Sequence, residues 1–174
     1  MNTEYEIKVL GVPSKQALNA IEKLNLTRHK KIIFRRYIYE IDGQPEAWIR
    51  LRSDGTKTTL TYKKFTKDAI DGMKEIEIIV DSLDVANDFL EAVGFNSTKY
   101  QENSRLLFTN DEIEISIDEW PKIPPYIEIE GKSQQAVKDY ITRLGFDKYE
   151  MTSKPTSAIY KMHDMDIGQC PAEC

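Results

Sequence analysis

Three Glu-x-Glu dyads are the most informative chemical feature of the sequence. Each lies on a segment in which polar and apolar residues alternate, as is typical of a strand. Carboxylates two residues apart on a strand share one face. Clustered carboxylates are costly to bury unless positive charge joins them, and Mg²⁺ or Mn²⁺ binds carboxylate and phosphate oxygens. We therefore predict a divalent-metal site that also accepts a polyanion. The dyads are Glu4-Tyr5-Glu6, Glu75-Ile76-Glu77 and Glu128-Ile129-Glu130.

Basic residues lie on strand-like segments between these dyads, opposite aliphatic faces. Acids and bases that converge in one place predict a site where the bases hold an anion and the acids hold metal. The two histidines, His29 and His163, fall outside the pattern, which argues against zinc. The basic residues are Lys8, Arg50, Arg52, Lys63, Lys99 and Arg105.

The alternating segments predict eight strands separated by turn signals. Asp-Gly pairs at 42–43, 54–55 and 71–72 favour hairpins, so the second to fifth strands should form an antiparallel meander. Ser14, Ser82 and Ser133 can each cap an amphipathic helix. Residues 156–162 fit either a short helix or a closing strand. The predicted strands span residues 3–10, 32–41, 47–52, 58–65, 74–80, 98–108, 112–120 and 125–131.

The three amphipathic helices indicate how the sheet is arranged. Each helix needs an apolar sheet surface to cover, and the aliphatic strand faces supply one on the outside of a rolled sheet. An open sheet with one solvent-exposed charged face is the alternative. We predict the α+β class, with a closed eight-stranded antiparallel β-barrel, its charged faces turned inward and its helices outside.

Composition limits the classes of function. The chain has 174 residues and a net charge of -5, which argues for one domain and against a general nucleic-acid binder. It shows neither a membrane-spanning segment nor a signal peptide, so we expect a cytoplasmic protein. We expect a single domain over 1–165 and a flexible tail over 166–174. That tail carries Cys170 and Cys174, which cannot crosslink a core.

The ordered motifs resemble the CYTH, or triphosphate tunnel metalloenzyme, superfamily. That superfamily includes class IV adenylyl cyclases, thiamine triphosphatases and inorganic or RNA triphosphatases. The first motif is similar to its opening ExExK sequence, and the others follow in the family's order. The matching segments are EYEIK at 4–8, WIRLR at 48–52, LTYKK at 60–64, KEIE at 74–77, Arg105, ISIDEWP at 115–121 and YIEIEG at 126–131.

The resemblance implies a tunnel that binds a triphosphate with Mg²⁺ or Mn²⁺. It implies catalytic roles for Lys8 and Asp118. The implied metal ligands are Glu4, Glu6, Glu128 and Glu130, with Asp118 and Glu77 assisting. The implied phosphate-binding residues are Lys8, Arg36, Arg50, Arg52, Lys63, Lys99 and Arg105, where Arg35 is an alternative to Arg36 because adjacent arginines leave the facing of that strand ambiguous.

The implied activity is that of a metal-dependent triphosphatase acting on inorganic, nucleoside or thiamine triphosphate. A class IV adenylyl cyclase is the first alternative, because both reactions use the same acids and bases. A nucleotide-binding or polyphosphate-binding protein without turnover is the second. The expected partner is a small-molecule triphosphate, with no nucleic acid and no membrane, and the chain is expected to be a monomer or homodimer.

Overall fold

A computed structural model describes residues 1–97 and 99–169. The strands are β1 Asn2–Leu10, β2 Thr27–Arg28, β3 Ile32–Glu40, β4 Ala47–Ser53, β5 Thr58–Phe65, β6 Met73–Val80, β7 Lys99–Thr109, β8 Ile113–Glu119, β9 Tyr126–Gly131 and β10 Glu150–Thr152. The helices are α1 Ser14–Glu22, α2 Leu83–Ala92, α3 Gln134–Leu144 and α4 Thr156–Met162, followed by a 3₁₀ turn at Ile167–Gln169.

Eight of the strands close into an antiparallel barrel. Their hydrogen-bonded order is β1-β6-β5-β4-β3-β7-β8-β9, and β9 returns to pair with β1. The predicted α+β class with a closed eight-stranded barrel and external helices is confirmed. The short strands β2 and β10 extend the sheet beside β7 and β1. Sequence periodicity does not detect strands of two or three residues.

The predicted meander is formed by β3, β4, β5 and β6, which pair in sequence order. Two of its turns place glycine in the left-handed region, Gly43 at φ 73° and Gly55 at φ 89°. Side chains other than glycine disfavour this conformation. The Asp-Gly signals therefore mark these two hairpins for a stereochemical reason.

Apolar side chains on the outer barrel face pack against the helices. Ile115 and Ile129 are fully buried under α1 and α3, which contribute Ile21 and Val137 to the same cluster. Leu90 of α2 packs on a second cluster with Tyr39 and Leu51. The expectation that helices cover the aliphatic faces fails on β6. There Ile76 and Ile78 remain about half exposed.

The helix starts agree with two of the three predicted caps. The hydroxyl of Ser82 accepts a hydrogen bond from the Val85 amide, and that of Ser133 accepts one from the Ala136 amide. The prediction for Ser14 was wrong. Pro13 precedes α1 as the N-cap and Ser14 is the first helical residue, so its hydroxyl makes no capping bond. Proline has a fixed φ suited to a helix start.

The segment at 156–162 is a helix, which settles the choice left open by the sequence. Its Tyr160 packs against Trp120, and Ile167 from the following turn joins this third apolar cluster. Cys170 and Cys174, in the predicted tail over 166–174, lie outside the described residues. Among the residues that are described, no helix combines the length and apolar character needed to cross a bilayer.

Candidate active site inside the barrel

The barrel encloses a cavity of about 560 Å³. Every barrel strand contributes to its wall. Seven strands do so with polar side chains, and β6 does so with Met73. Both signs of charge meet there. The basic lining residues are Lys8, Arg36, Arg50, Arg52, Lys63, Lys99 and Arg105, and the acidic ones are Glu4, Glu6, Glu40, Asp42, Asp118, Glu128 and Glu130.

Three carboxylates form a compact group, which we call the acidic trio: Glu4, Glu6 and Glu130. One oxygen of each lies within 4.8 Å of the others. Glu4 and Glu6 share the inner face of β1, and Glu130 pairs with Glu6 across the β1–β9 ladder. The closure of the barrel between β1 and β9 therefore joins the first and third dyads, although 124 positions separate Glu6 from Glu130.

The charge of the acidic trio is only partly compensated. Lys63 contacts Glu4 at 2.8 Å and Lys8 contacts Glu6 at 2.9 Å. Glu130 has no such cation among the described residues. Burial, together with the charges of Glu4, Glu128 and Glu6, raises the pKa of Glu130 to about 8. An oxygen-only donor set whose negative charge is only partly balanced by lysines fits a hard divalent cation such as Mg²⁺ or Mn²⁺.

Two other predicted metal ligands face Arg105. Its guanidinium donates to both oxygens of Asp118 at 2.6 Å and to Glu128 at 2.7 Å. Burial lowers the pKa of Arg105, but the two carboxylates outweigh it and hold the net pKa above its ordinary value. The arrangement fixes Arg105 in one orientation. Asp118 and Glu128 lie on the cavity wall, and their role as metal ligands stays a prediction.

Lys8 is held as a cation at the centre of this wall. Its amine lies 2.9 Å from Glu6 and 3.4 Å from Glu128. Burial lowers the pKa of Lys8, yet the two carboxylates outweigh it and raise the net pKa. A lysine in this state can donate hydrogen bonds to an anion but cannot accept a proton. It links the acidic trio to the group around Arg105.

Three further arginines gather on β3 and β4. Arg36 is buried and lines the cavity, whereas Arg35 is exposed. Of the two adjacent arginines that the sequence could not separate, Arg36 is therefore the one that faces the cavity. Arg36 pairs with Arg52 across the β3–β4 ladder. Burial, with the charges of Arg50 and Arg105, lowers the pKa of Arg36 to about 9. Like charges this close are stabilised by a bound anion.

The middle dyad is separate from the acidic trio. Glu77 accepts a hydrogen bond from Thr61 at 2.8 Å and lies 3.6 Å from Arg50. Glu75 lies 3.6 Å from Lys63. Neither residue lines the cavity. The middle dyad therefore balances the basic strand residues, and the assisting metal role of Glu77 stays a prediction.

Several contributors to the site were not anticipated. The β3–β4 hairpin, including Ile41 and Pro45, and the start of α4 at Pro155 line the cavity. Asn103 accepts a hydrogen bond from Arg36. Sequence spacing shows which face a strand residue takes, but not which loops and helices reach the end of the barrel. Lys99, which the resemblance implies as a phosphate-binding residue, lines the cavity and lies 3.3 Å from Glu40.

A CYTH domain family model matches residues 2–158. Among curated protein sequences, none matches the chain significantly. The fold is similar to the PH1012 protein from Pyrococcus horikoshii OT3, with a TM-score of 0.73 and 18% identity, over 84% of this chain and 94% of that one.

Two further solved structures share the fold. One is HpAC1 from Hippeastrum, a candidate adenylyl cyclase described as having a dominant triphosphatase activity. It has a TM-score of 0.64 and 15% identity, over 98% of this chain and 100% of that one. The other is a candidate adenylate cyclase from Vibrio parahaemolyticus, with a TM-score of 0.64 and 15% identity, over 99% of this chain and 95% of that one. At such identities the likeness shows the fold alone. The family match covers most of the chain, and this protein therefore belongs to the CYTH domain family.

Proposed function

We propose that the protein is a divalent-metal-dependent phosphohydrolase that acts on inorganic triphosphate, a nucleoside triphosphate or thiamine triphosphate. One observation carries this proposal: a carboxylate trio suited to a cation and a group of arginines suited to phosphate line the same cavity. A triphosphate is the kind of ligand that needs both, because its charge is compensated by protein bases and metal together.

The protein residues have distinct parts in this reaction. Glu4, Glu6 and Glu130 supply the oxygens that hold the cation. When bound, a divalent cation neutralises phosphate charge and polarises a phosphoryl oxygen. Lys8 stays protonated and donates to a phosphate oxygen, while Asp118 fixes the orientation of Arg105.

The arginines bind the phosphate chain and align it. Arg36, Arg50 and Arg52 direct their N–H groups at its oxygens and stabilise the charge that moves to the leaving group. Water adds to the terminal phosphorus and the bridging P–O bond breaks. Orthophosphate leaves together with pyrophosphate, a nucleoside diphosphate or thiamine diphosphate, according to the substrate, and the proton of the attacking water passes to a phosphate oxygen or to solvent. Positioning and charge neutralisation dominate such transfers, so no covalent intermediate is required.

Phosphate release tests the proposal. The full chain is incubated with tripolyphosphate, ATP or thiamine triphosphate and with Mg²⁺ or Mn²⁺, and orthophosphate is measured over time. We expect release with at least one substrate, and a loss of about 100-fold or more in Glu130→Gln and Glu4→Gln. The matched control is Glu112→Gln, which changes an exposed glutamate away from the cavity and should keep full activity. Undiminished release from both cavity variants would contradict the assignment.

A class IV adenylyl cyclase is the second candidate. Trp48, Ile38 and Pro45 are among the apolar residues that line the cavity beside its charged side chains, and such surface suits an organic group. In this reaction the ribose 3′ hydroxyl attacks the α-phosphorus of ATP, and pyrophosphate leaves. Chromatography of the ATP reaction distinguishes the two. Cyclic AMP with pyrophosphate supports the cyclase, and ADP with orthophosphate supports the hydrolase.

Binding without turnover is the third candidate. The acidic trio speaks against it, because a protein that only binds anions gains nothing from adjacent carboxylates. Ligand-induced thermal stabilisation, with all three substrates intact after prolonged incubation with either metal, would favour this reading over both enzymes.

A further inference from the structure

An apolar stripe on α2 faces solvent. Val85, Phe89 and Val93 recur at intervals of four and are 67%, 63% and 55% exposed. Residues at this spacing lie on one side of a helix. The helix already uses another side for packing, since Leu90 is buried on the barrel. The stripe is therefore additional to the surface that holds α2 in place.

The stripe faces an uncovered part of the barrel. Asn87, which accepts a hydrogen bond from Tyr39 of β3, lies on the opposite side of the helix from Phe89. Since β4 and β5 separate β3 from β6, the stripe turns towards β6. There Ile76 and Ile78 are 51% and 54% exposed. We call these five residues, Ile76, Ile78, Val85, Phe89 and Val93, the α2–β6 patch.

The size of the α2–β6 patch matches that of a subunit interface. Its exposed fractions correspond to roughly 550 Å² if a fully exposed side chain of this kind presents about 190 Å². A specific interface of standard size covers about 800 Å² on each partner, and at the apolar share of about 65% found in homodimers this is roughly 520 Å² of apolar surface. A twofold dimer also needs only one patch, used by both subunits. We propose that a second copy of this chain covers the α2–β6 patch.

Sedimentation equilibrium at protein concentrations up to about 100 µM tests this interface. We expect the wild type to approach twice the chain mass of 20.2 kDa. Phe89→Glu on the helix and Ile78→Lys on the strand should each return the protein to the monomer mass. Circular dichroism establishes that both variants are folded. Ile33→Glu, an equally exposed residue on β3, is the matched control and should stay dimeric.

A wild type that remains at the monomer mass overturns the proposal. A dimer that persists in both folded patch variants also overturns it, because the contact must then lie elsewhere. Capture of a different protein by the patch, with the chain itself monomeric, has the same consequence.

A second observation concerns Phe34 on β3. It is buried but belongs to none of the apolar clusters. Its ring faces cations instead. The guanidinium carbon of Arg52 lies 4.5 Å from the ring centroid, and those of Arg36 and Arg105 lie 5.7 and 5.8 Å away. All three arginines line the cavity.

An aromatic ring can hold an arginine in place and still leave its N–H donors free, which a carboxylate cannot do. It attracts cations through its electron-rich face without occupying their N–H donors. Arg52 has no ion-pair partner within the described part of the chain. Arg36 donates a hydrogen bond to the neutral Asn103 and lies 4.6 Å from the centroid of the Trp120 ring. Donors left free in this way remain available for phosphate oxygens. We propose, on the basis of the function proposed above, that Phe34 is a positioning residue that holds Arg52 for phosphate binding.

Calorimetric binding of tripolyphosphate and the KM for phosphate release test this role. Phe34→Leu should weaken binding and raise KM about tenfold, with kcat changed less, and Phe34→Tyr should restore both because it keeps the ring. Phe108→Leu is the matched control. It removes a buried ring that faces Arg28, which lies outside the cavity, so it should lower stability and leave binding unchanged.

A ligand-free readout separates this proposal from the proposed function. Protons above a ring face shift upfield in NMR spectra, so the Nε–H resonance of Arg52 should move downfield in Phe34→Leu and not in Phe34→Tyr. If that shift occurs but the wild type binds no triphosphate, the proposed function fails and the contact stands. If the wild type binds triphosphate and Phe34→Leu binds it equally well, the positioning role is overturned and the function stands.

Discussion

The Arg105 ion-pair group makes a quantitative prediction about stability. Arg105 forms a bidentate contact with Asp118, whose side chain is only 2% exposed, and a further contact with Glu128. In Arg105→Met, the Asp118 carboxylate loses its bidentate partner inside the barrel. Breaking a buried pair from one side costs about 3–5 kcal/mol. For a chain of this size, that loss lowers the melting temperature by about 6–20 °C.

Thermal and urea unfolding of metal-free protein measure this loss. Arg28→Met is the matched control, because its pair with Glu22 has the same charges at 3.0 Å but both side chains are about half exposed. Exposed pairs contribute about 0–1 kcal/mol, so the control should melt near the wild type. The double variant Arg105→Met/Asp118→Asn should recover part of the loss, because no unpaired carboxylate remains at Asp118. An Arg105→Met protein as stable as the control would refute the reasoning.

Two further predictions concern the acidic trio and the packing beside it. Burial and the charge of Glu4 raise the pKa of Glu130 from 4.5 to about 8 in the folded protein. Protonated Glu130 therefore contributes its full stability below the pKa of the unfolded chain, and this contribution is lost as pH rises through the pKa of the folded protein. Glu130→Gln should therefore gain stability over the wild type with rising pH, by about 3 kcal/mol near pH 7, in melts of EDTA-treated protein; a gain independent of pH would contradict this. Gly131→Ala places a Cβ 2.9 Å from Ile113 Cδ1 and 3.1 Å from Val137 Cγ2. We therefore expect urea unfolding to show a loss of about 1–3 kcal/mol in the free energy of unfolding. An unchanged urea midpoint would contradict this and would show that α3 shifts freely.

Much of the fold was predictable because strand alternation is local. β5 begins and ends where the periodicity placed it, and the ends of most other barrel strands lie within one residue of the prediction. The three-residue β10 is different. It forms through pairing with the end of β1, for example between Thr152 and Lys8, and a long-range pairing leaves no periodic signal in so short a segment.

The site was predictable in composition but not in grouping. Successive side chains on a strand point to opposite faces of the sheet, and this alternation placed Glu4, Glu6 and Glu130 on inner faces. Their convergence depends on the register between β1 and β9, which only the closed barrel fixes. The choice between Arg35 and Arg36 depended in the same way on neighbouring strands. Phe34 was not predicted as a site residue because an aromatic residue on a strand is ordinarily part of the apolar core.

Calorimetric measurement of tripolyphosphate binding, with and without Mn²⁺, tests most directly whether metal and phosphate share one cavity. We expect wild-type protein to bind tripolyphosphate at least about tenfold more tightly with Mn²⁺ than in EDTA, since each ligand compensates the charge around the other. The enhancement should disappear in Glu130→Gln. Equal affinities in the wild type, or an enhancement that survives in Glu130→Gln, would contradict a shared site built on the acidic trio.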